Sequence, residues 1–275
     1  MRARAASLLS KEDSLALAVL DLTLPRPTAD RRIWTDQFRA YPALRTWWTT
    51  VRAMSCPDPV TGLPCLRPRI GGLELTTNPV DPPRPFAWQD EGGHEAAAFD
   101  AAFGKDQTDL TFRHPALIGL WSFVHIRRVG KGRAWSIQTN PDATGSLTIQ
   151  DNPIRTPTEG CMNLNVLGAG VDQRATYTRA PVTGARSTTF QTIDFTAGSL
   201  KGAVNDDAPL TTAWPAWAAQ APLIGPIWKI RIGEGRATGP FTGTYLDFAL
   251  VEGDIFAMPR LRALFLDYAE STYQG

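Results

Sequence analysis

The chain of 275 residues is expected to fold as an all-β, two-sheet antiparallel sandwich with an N-terminal arm and one C-terminal helix. Three observations predict this. Short segments with an apolar residue at every second position recur from about residue 96 onward, glycine-rich or Asx-rich separators interrupt them, and one amphipathic helix closes the chain. Alternation of period two marks a strand with one buried face. Many such strands joined by short turns favour two packed antiparallel sheets over a parallel sheet with helical crossovers.

In chain order, strands are expected at 96–103, 109–113, 118–128, 133–138, 146–150, 162–167, 174–179, 188–195, 199–204, 227–232 and 244–251. Their separators include Gly130-Lys131-Gly132, Asp142-Ala143-Thr144-Gly145, Gly168-Ala169-Gly170, Thr183-Gly184 and Ala197-Gly198. Tight reversals use the tolerance of such residues for positive φ. In the closing helix Pro259 suits the first turn, and Leu261, Leu264, Phe265 and Tyr268 recur at spacings of three and four. That face should dock on the sandwich, with Asp254 capping the helix just upstream.

Two earlier zones differ in character. Residues 1–45 read as an arm: a helix near 10–20 with Ser10 as cap, the Pro25-Arg26-Pro27 break, then Arg31, Arg32, Trp34, Phe38 and Tyr41. Mixed basic and aromatic side chains of this kind are candidates for anchoring to a neighbouring subunit, with packing on the chain's own domain as the alternative. Residues 46–275 form the sandwich, entered through a proline-rich region, 55–93, read as ordered loop around one strand at 73–76.

Composition narrows the function. A 43% apolar content is enough for a real core, and 28 basic against 27 acidic residues, with no long block of either sign, lack the footprint of a nucleic-acid binder. No run of about eighteen apolar residues could cross a membrane as a helix. Lys11, Glu12 and Asp13 interrupt the start before any sustained apolar stretch, so no secretory leader is expected. Cys56, Cys65 and Cys161 cannot form a closed set of pairs, although Cys56 and Cys65 flank a turn and could bridge in an oxidising setting. His94, His114 and His125 show no ligand spacing, so zinc is not expected. His125, inside an apolar strand, reads as a hydrogen-bonded core residue.

Several motifs in succession resemble a known family. Trp47-Trp48 precede Gly93-His94-Glu95-Ala96-Ala97-Ala98-Phe99-Asp100 and then Asp109-Leu110-Thr111-Phe112. The run Leu120-Trp121-Ser122-Phe123-Val124-His125-Ile126 looks like a long central strand. A hairpin follows, from Thr188 through Phe195 and from Ser199 to the Asn205-Asp206-Asp207 turn, and the strand from Phe241 to Leu250 leads into the closing helix. Together these resemble concanavalin A-like, laminin-G-like jelly rolls over about residues 45–275. The chain departs from that pattern in the proline-rich 55–93 region and at Asp207, where glycine is usual. The resemblance implies a fold shared by lectins, glucanases, adhesion modules and phage virion proteins.

The glucanase branch carries a Glu-x-Asp-x-x-Glu run, because retaining hydrolysis needs two carboxylates about 5 Å apart. No such run occurs here, no Gly-x-Ser-x-Gly occurs either, and Asp90, Glu91 and Glu95 read as solvated loop carboxylates. The expectation is therefore a non-enzymatic structural protein of a phage-like particle, whether capsid decoration, head fibre or tail component, made in the host cytoplasm and resident in the virion. Its arm would contact other virion proteins and its sandwich would bind host surface glycans, as a homo-oligomer. The alternatives are a purely architectural virion protein, or a carbohydrate-active enzyme or secreted lectin of the same fold. Trp88, Trp135, Tyr177 and Trp214 are the glycan-stacking candidates. No cofactor is expected; Asp106, Asp109, Asp206 and Asp207 are the residues with oxygens to offer calcium, which some relatives of this fold use.

Overall fold

The computed structural model describes residues 34–50, 55–57, 64–77, 87–90, 95–99, 110–129, 134–139, 141, 147–152, 160–166, 171–177, 184–213, 225–233 and 242–273. The helix expected at 10–20, and Arg31 and Arg32, lie outside them.

The chain enters with a short helix, α1 (Trp34–Arg39), and strand β1 (Leu44–Thr49). Short strands follow: β2 (Ser55–Pro57), β3 (Pro64–Leu66), β4 (Leu75–Thr77), β5 (Ala87–Asp90) and β6 (Glu95–Phe99). The middle of the chain is β7 (Leu110–Pro115), β8 (Leu120–Val129), β9 (Trp135–Gln138), β10 (Leu147–Asn152), β11 (Gly160–Val166) and β12 (Val171–Tyr177). It ends with β13 (Arg186–Asp194), β14 (Ser199–Val204), β15 (Leu210–Ala213), β16 (Ile227–Ile232), β17 (Gly243–Glu252) and helix α2 (Pro259–Thr272).

These strands form the expected two sheets, and every pairing among the described strands is antiparallel. The first sheet runs β15-β14-β13-β8-β17-β6-β5, and β1 shares one edge of β17 with β6. The second runs β12-β11-β10-β9-β16-β7-β4-β3-β2. Each strand expected from residue 96 onward is present. The proline-rich region holds more strand than the one expected there, because Pro57 ends β2 and Pro64 begins β3. Proline is tolerated at such ends and on edges, where its missing N–H breaks no ladder. Cys65 is disulfide-bonded, and its backbone partner across β2 and β3 is Cys56. Strand β15 escaped the sequence reading because it carries no alternation: Leu210, Thr211 and Ala213 are all exposed.

Alternation in β8 builds two cores from one strand. Trp121 and Phe123 face the opposing sheet, joining Trp48, Phe112, Trp135, Trp228 and Phe248 in the interior of the sandwich. Val124 and Ile126 face outward, where they meet Leu261, Leu264 and Phe265 of α2. A bulge in β17 between Tyr245 and Asp247 serves both layers. Tyr245 and Phe248 lie in the inner core, whereas Leu246 joins the outer one.

The outer core also absorbs the aromatic residues of the arm. Phe38 is fully buried, with its ring centroid 4.6 Å from Trp47 and 4.6 Å from Phe265. Tyr41 is buried beside it, and Trp34 stands edge-on to Tyr268 at 5.5 Å. Three of the anchoring candidates thus pack on the chain's own domain. Burial of Phe38 and Tyr41 here leaves little of either for a neighbouring subunit.

Helix α2 starts at Pro259 with Met258 as a cap residue that offers no side-chain bond. Asp254, expected to cap this helix, instead caps the 3-10 turn Ile255–Ala257, accepting from the Phe256 N–H at 3.0 Å. The helix is secured by Asp247. This buried carboxylate accepts from Trp47 Nε1 at 2.8 Å, Thr49 Oγ1 at 2.9 Å and Tyr268 OH at 3.3 Å, and from the Tyr273 hydroxyl. Burial raises its pKa above the ordinary carboxylate value, while the hydrogen bonds from Tyr273, Thr49 and Trp47 oppose that rise. Asp247→Ala strands several buried donors at once, so we expect a loss of about 3 kcal/mol, against about 1 kcal/mol for Tyr273→Phe. Urea midpoints at unchanged m-value check both.

Candidate functional site: the polar face of the second sheet

The two outward faces of the sandwich differ in chemistry. That of the first sheet is apolar and covered by α1 and α2. In the second sheet the inward set is Leu75, Leu110, Phe112, Trp135, Ile137, Ile149, Trp228, Ile230 and Ile232. Alternation then sends Thr76, Thr111, Arg113, Ser136, Gln138, Thr148, Gln150, Lys229 and Arg231 outward. All of these are polar, whereas Ile227 and Pro115, paired at one end of β16 and β7 and also outward, are exposed apolar residues.

Register aligns them in two rows across the strands. One row is Arg113, Lys229, Gln138 and Thr148, continued at the backbone positions of Asn165 and Asp172. The other is Thr76, Thr111, Arg231, Ser136 and Gln150, continued at Asn163 and Arg174. Side chains directly opposite on neighbouring strands lie close enough to act on one ligand. The floor is neutral and buried, with Ser136 2% exposed, Gln150 4% and Thr111 6%. The charged side chains stand higher: Arg113 is exposed, and Lys229 and Arg231 are half-buried. Arg231 Nη2 donates to Gln138 Oε1 at 3.1 Å, so the guanidinium lies along the face between the rows. Gln150 Oε1 is buried without a hydrogen-bond partner. A buried acceptor left unmatched costs about 1–3 kcal/mol, which an incoming donor recovers.

A second polar cluster lies inside the sandwich. Arg127 of β8 donates to Asp151 of β10 at 2.9 Å, joining the two sheets, and both side chains are fully buried. Gln191 Nε2 donates to Asp151 at 2.8 Å, and Gln191 Oε1 accepts from Trp135 Nε1 at 2.9 Å. His125 Nε2 lies 3.2 Å from that same oxygen and therefore donates to it, which leaves Nδ1 as an acceptor with no partner. Tyr245 closes the cluster, its hydroxyl donating to the Ala134 carbonyl at 2.6 Å. His125 and Asp151 are 3.8 Å apart, with neither side chain reached by solvent. Burial, followed by the charge of Arg127, holds the His125 imidazole well below its ordinary pKa, keeping it neutral. The expectation of a hydrogen-bonded core histidine is met.

The residues proposed from sequence are scattered. Trp135 is fully buried and stacked on Phe123 at 4.6 Å, so its ring cannot meet a sugar. Trp88 is half-buried on the edge strand β5, packed against the inner core beside the exposed Gln89 and Asp90. Tyr177 ends β12 opposite Gly160, and its side chain, like all of Trp214, lies outside the described residues. Asp106 and Asp109 also lie outside them. Asp206 and Asp207 occupy the turn after β14, where Asn205 adopts φ 54°. There Arg262 Nη2 donates to the carbonyls of Asn205 and Asp207 at 2.9 and 2.8 Å. The Arg262 guanidinium thus holds two backbone carbonyls of this turn and brings a positive charge beside it. Among the described residues no three His, Cys, Asp or Glu side chains come together as a metal site. The signal for the polar face lay in the alternation of Trp228-Lys229-Ile230-Arg231-Ile232, which carries no aromatic ring on its outward side.

No protein-family model matches the chain, and no curated protein matches it. Among solved structures it is similar to domain 4 of AbnA, a GH43 extracellular arabinanase from Geobacillus stearothermophilus, in complex with arabinotriose. That match has 13% identity and a TM-score of 0.47 over 80% of this chain and 97% of that one. It is similar also to a sialidase from Trypanosoma rangeli, at 11% identity and a TM-score of 0.47 over 93% of this chain and 38% of that one. A third is the CBM40 of the Ruminococcus gnavus IT-sialidase bound to α2,3 sialyllactose, at 13% identity and a TM-score of 0.39 over 52% of this chain and 82% of that one.

The interior cluster makes stability depend on pH. The unfolded chain takes up a proton on His125 near its ordinary value of 6.5, whereas the folded chain does not. Stability is therefore full above that pH and falls as pH drops below it, by up to about 1.4 kcal/mol per pH unit for one group. Burial lowers the pKa of His114 as well and adds to the trend. Urea titrations at successive pH values should show the decline, with a shallower slope in His125→Gln.

Proposed function

We propose that the protein is a non-catalytic, glycan-binding β-sandwich and that the polar face of the second sheet is its binding surface. The carrying observation is the pair of in-register rows of Arg, Lys, Gln, Ser and Thr on a face that no described helix covers. Saccharides present many hydroxyls at short spacing, and a row of amide, hydroxyl and guanidinium groups supplies donors and acceptors at the strand spacing. The buried Gln150 Oε1 gives one such hydroxyl a defined partner. The absence of a catalytic role is supported by the enclosure of His125 and Asp151 and by the engagement of Asp247 and Asp254 in structural bonds. Trp88, half-exposed on the other sheet, offers a separate stacking surface.

The finer form of the proposal places this sandwich on a phage-like particle. It is supported by the basic residues of the arm: since Trp34, Phe38 and Tyr41 pack on the chain's own domain, attachment falls to Arg31 and Arg32 and the residues before them.

Glycan-array screening of the full chain tests the binding reading. We expect selective binding, weakened about tenfold by Gln150→Ala, the loss of roughly one good hydrogen bond. Retained affinity in that variant, with binding lost in Trp88→Ala, would move the site to β5. For the particle setting, the full chain should co-sediment with assembled particles and a chain lacking residues 1–33 should not.

A further inference from the structure

We infer that Gln191, on the first sheet and inside the sandwich, is a positioning residue for the glycan-binding face of the second; the inference rests on the glycan-binding reading and names how that site is held. The basis is the pairing of β9 with β10. Ser136 and Gln150 of the floor are register partners, and the next pair along, Trp135 and Asp151, points into the interior. Trp135 and Asp151 form the last register pair of this ladder, and the end of a ladder is where strands open first. Gln191 spans that pair from the opposite sheet with a single amide. Its Nε2 donates to Asp151 Oδ1 at 2.8 Å, and its Oε1 accepts from Trp135 Nε1 at 2.9 Å. The Ala134 N–H adds a backbone bond to the Asp151 carbonyl at 2.9 Å.

The effect reaches the outer surface through alternation. Successive side chains of a strand point to opposite faces, so a bond that fixes residue 135 or 151 from inside also fixes the backbone that carries 136 or 150 outside. Asp151 is itself anchored, since Arg127 of β8 donates to it at 2.9 Å. Elsewhere beneath the floor the inward neighbours Ile137, Ile149 and Ile230 pack without directed bonds, so the directed support falls at the Ser136–Gln150 pair. Direction matters at Gln150 Oε1, the buried acceptor offered to a sugar hydroxyl, because a hydrogen bond weakens steeply as its angle closes. The first sheet thus supplies the rigid support for a site on the far side of the second.

The test uses the full chain and a panel of neutral, uronic-acid and N-acetylated oligosaccharides, the tightest-binding member serving as the soluble probe. Affinity is measured well below the melting temperature, so that folded chain alone contributes. We expect Gln191→Leu to weaken binding about tenfold, and Trp135→Phe, which keeps a stacked ring and removes the N–H, about threefold. Tyr273→Phe, which destabilises the outer layer on the other side of the molecule, should leave affinity unchanged and so separates positioning from loss of stability. In a Gln150→Ala background both interior substitutions should lose their effect, as a residue acting through Gln150 requires. On the unmodified chain, saturating probe should slow exchange of the Trp135 indole N–H more than that of Trp47, whose indole is bonded to Asp247 in the outer layer. Unchanged affinity in both interior variants, an undiminished loss in the Gln150→Ala background, or equal slowing of the two indoles overturns the positioning role and leaves the glycan reading standing. If Gln191→Leu does not fold, Trp135→Phe and the exchange measurement decide. Absence of binding to any member of the panel removes both.

Discussion

The ion pair between Arg127 and Asp151 is the point on which the interior arrangement depends. It joins the two sheets without access to water, where neither charge is stable alone. Removing one partner of such a pair costs about 3–5 kcal/mol, because the survivor remains buried and uncompensated. The Gln191 amide is fixed by Asp151, and that in turn fixes which way its oxygen points, toward Trp135 and His125. A change at Asp151 therefore disturbs residues on β8, β9 and β13 together. Packing of the apolar side chains and this chain of directed bonds between named atoms fix the registration of the two sheets together.

The outer layer solves a related problem differently. Asp247 collects hydroxyl and indole donors from β1 and the end of the chain, and the aromatic rings around it fill the space between α2 and the first sheet. Arg262 adds a third fastening, lying over Phe190 and Phe256 while holding the turn after β14. The helix is bound by buried polar contacts as well as by its apolar face.

Much of this fold was legible in the sequence because strand alternation is a local signal. The strand positions from residue 96 onward were readable in this way, whereas their order in the sheets, as in β13-β8-β17, was not. The helix face was equally readable from Leu261, Leu264, Phe265 and Tyr268. Other features depend on partners distant in sequence. Nothing near Trp135 tells that its indole is enclosed between sheets, and nothing near Asp254 tells that it serves a 3-10 turn and Lys201 before the helix. The candidate site suffered most. Lys229 and Arg113 become neighbours only once β16 has paired with β7. A list of aromatic residues could not contain them.

The asymmetry of the two outward faces gives the molecule a front and a back. Helix α1 joins the sandwich on the side that α2 covers, opposite the rows of Arg, Lys and Gln. Trp34, the first described residue, therefore stands behind the domain. A tether there would present the hydrophilic side to its surroundings without turning the domain around, and many copies arrayed on one support would all look outward.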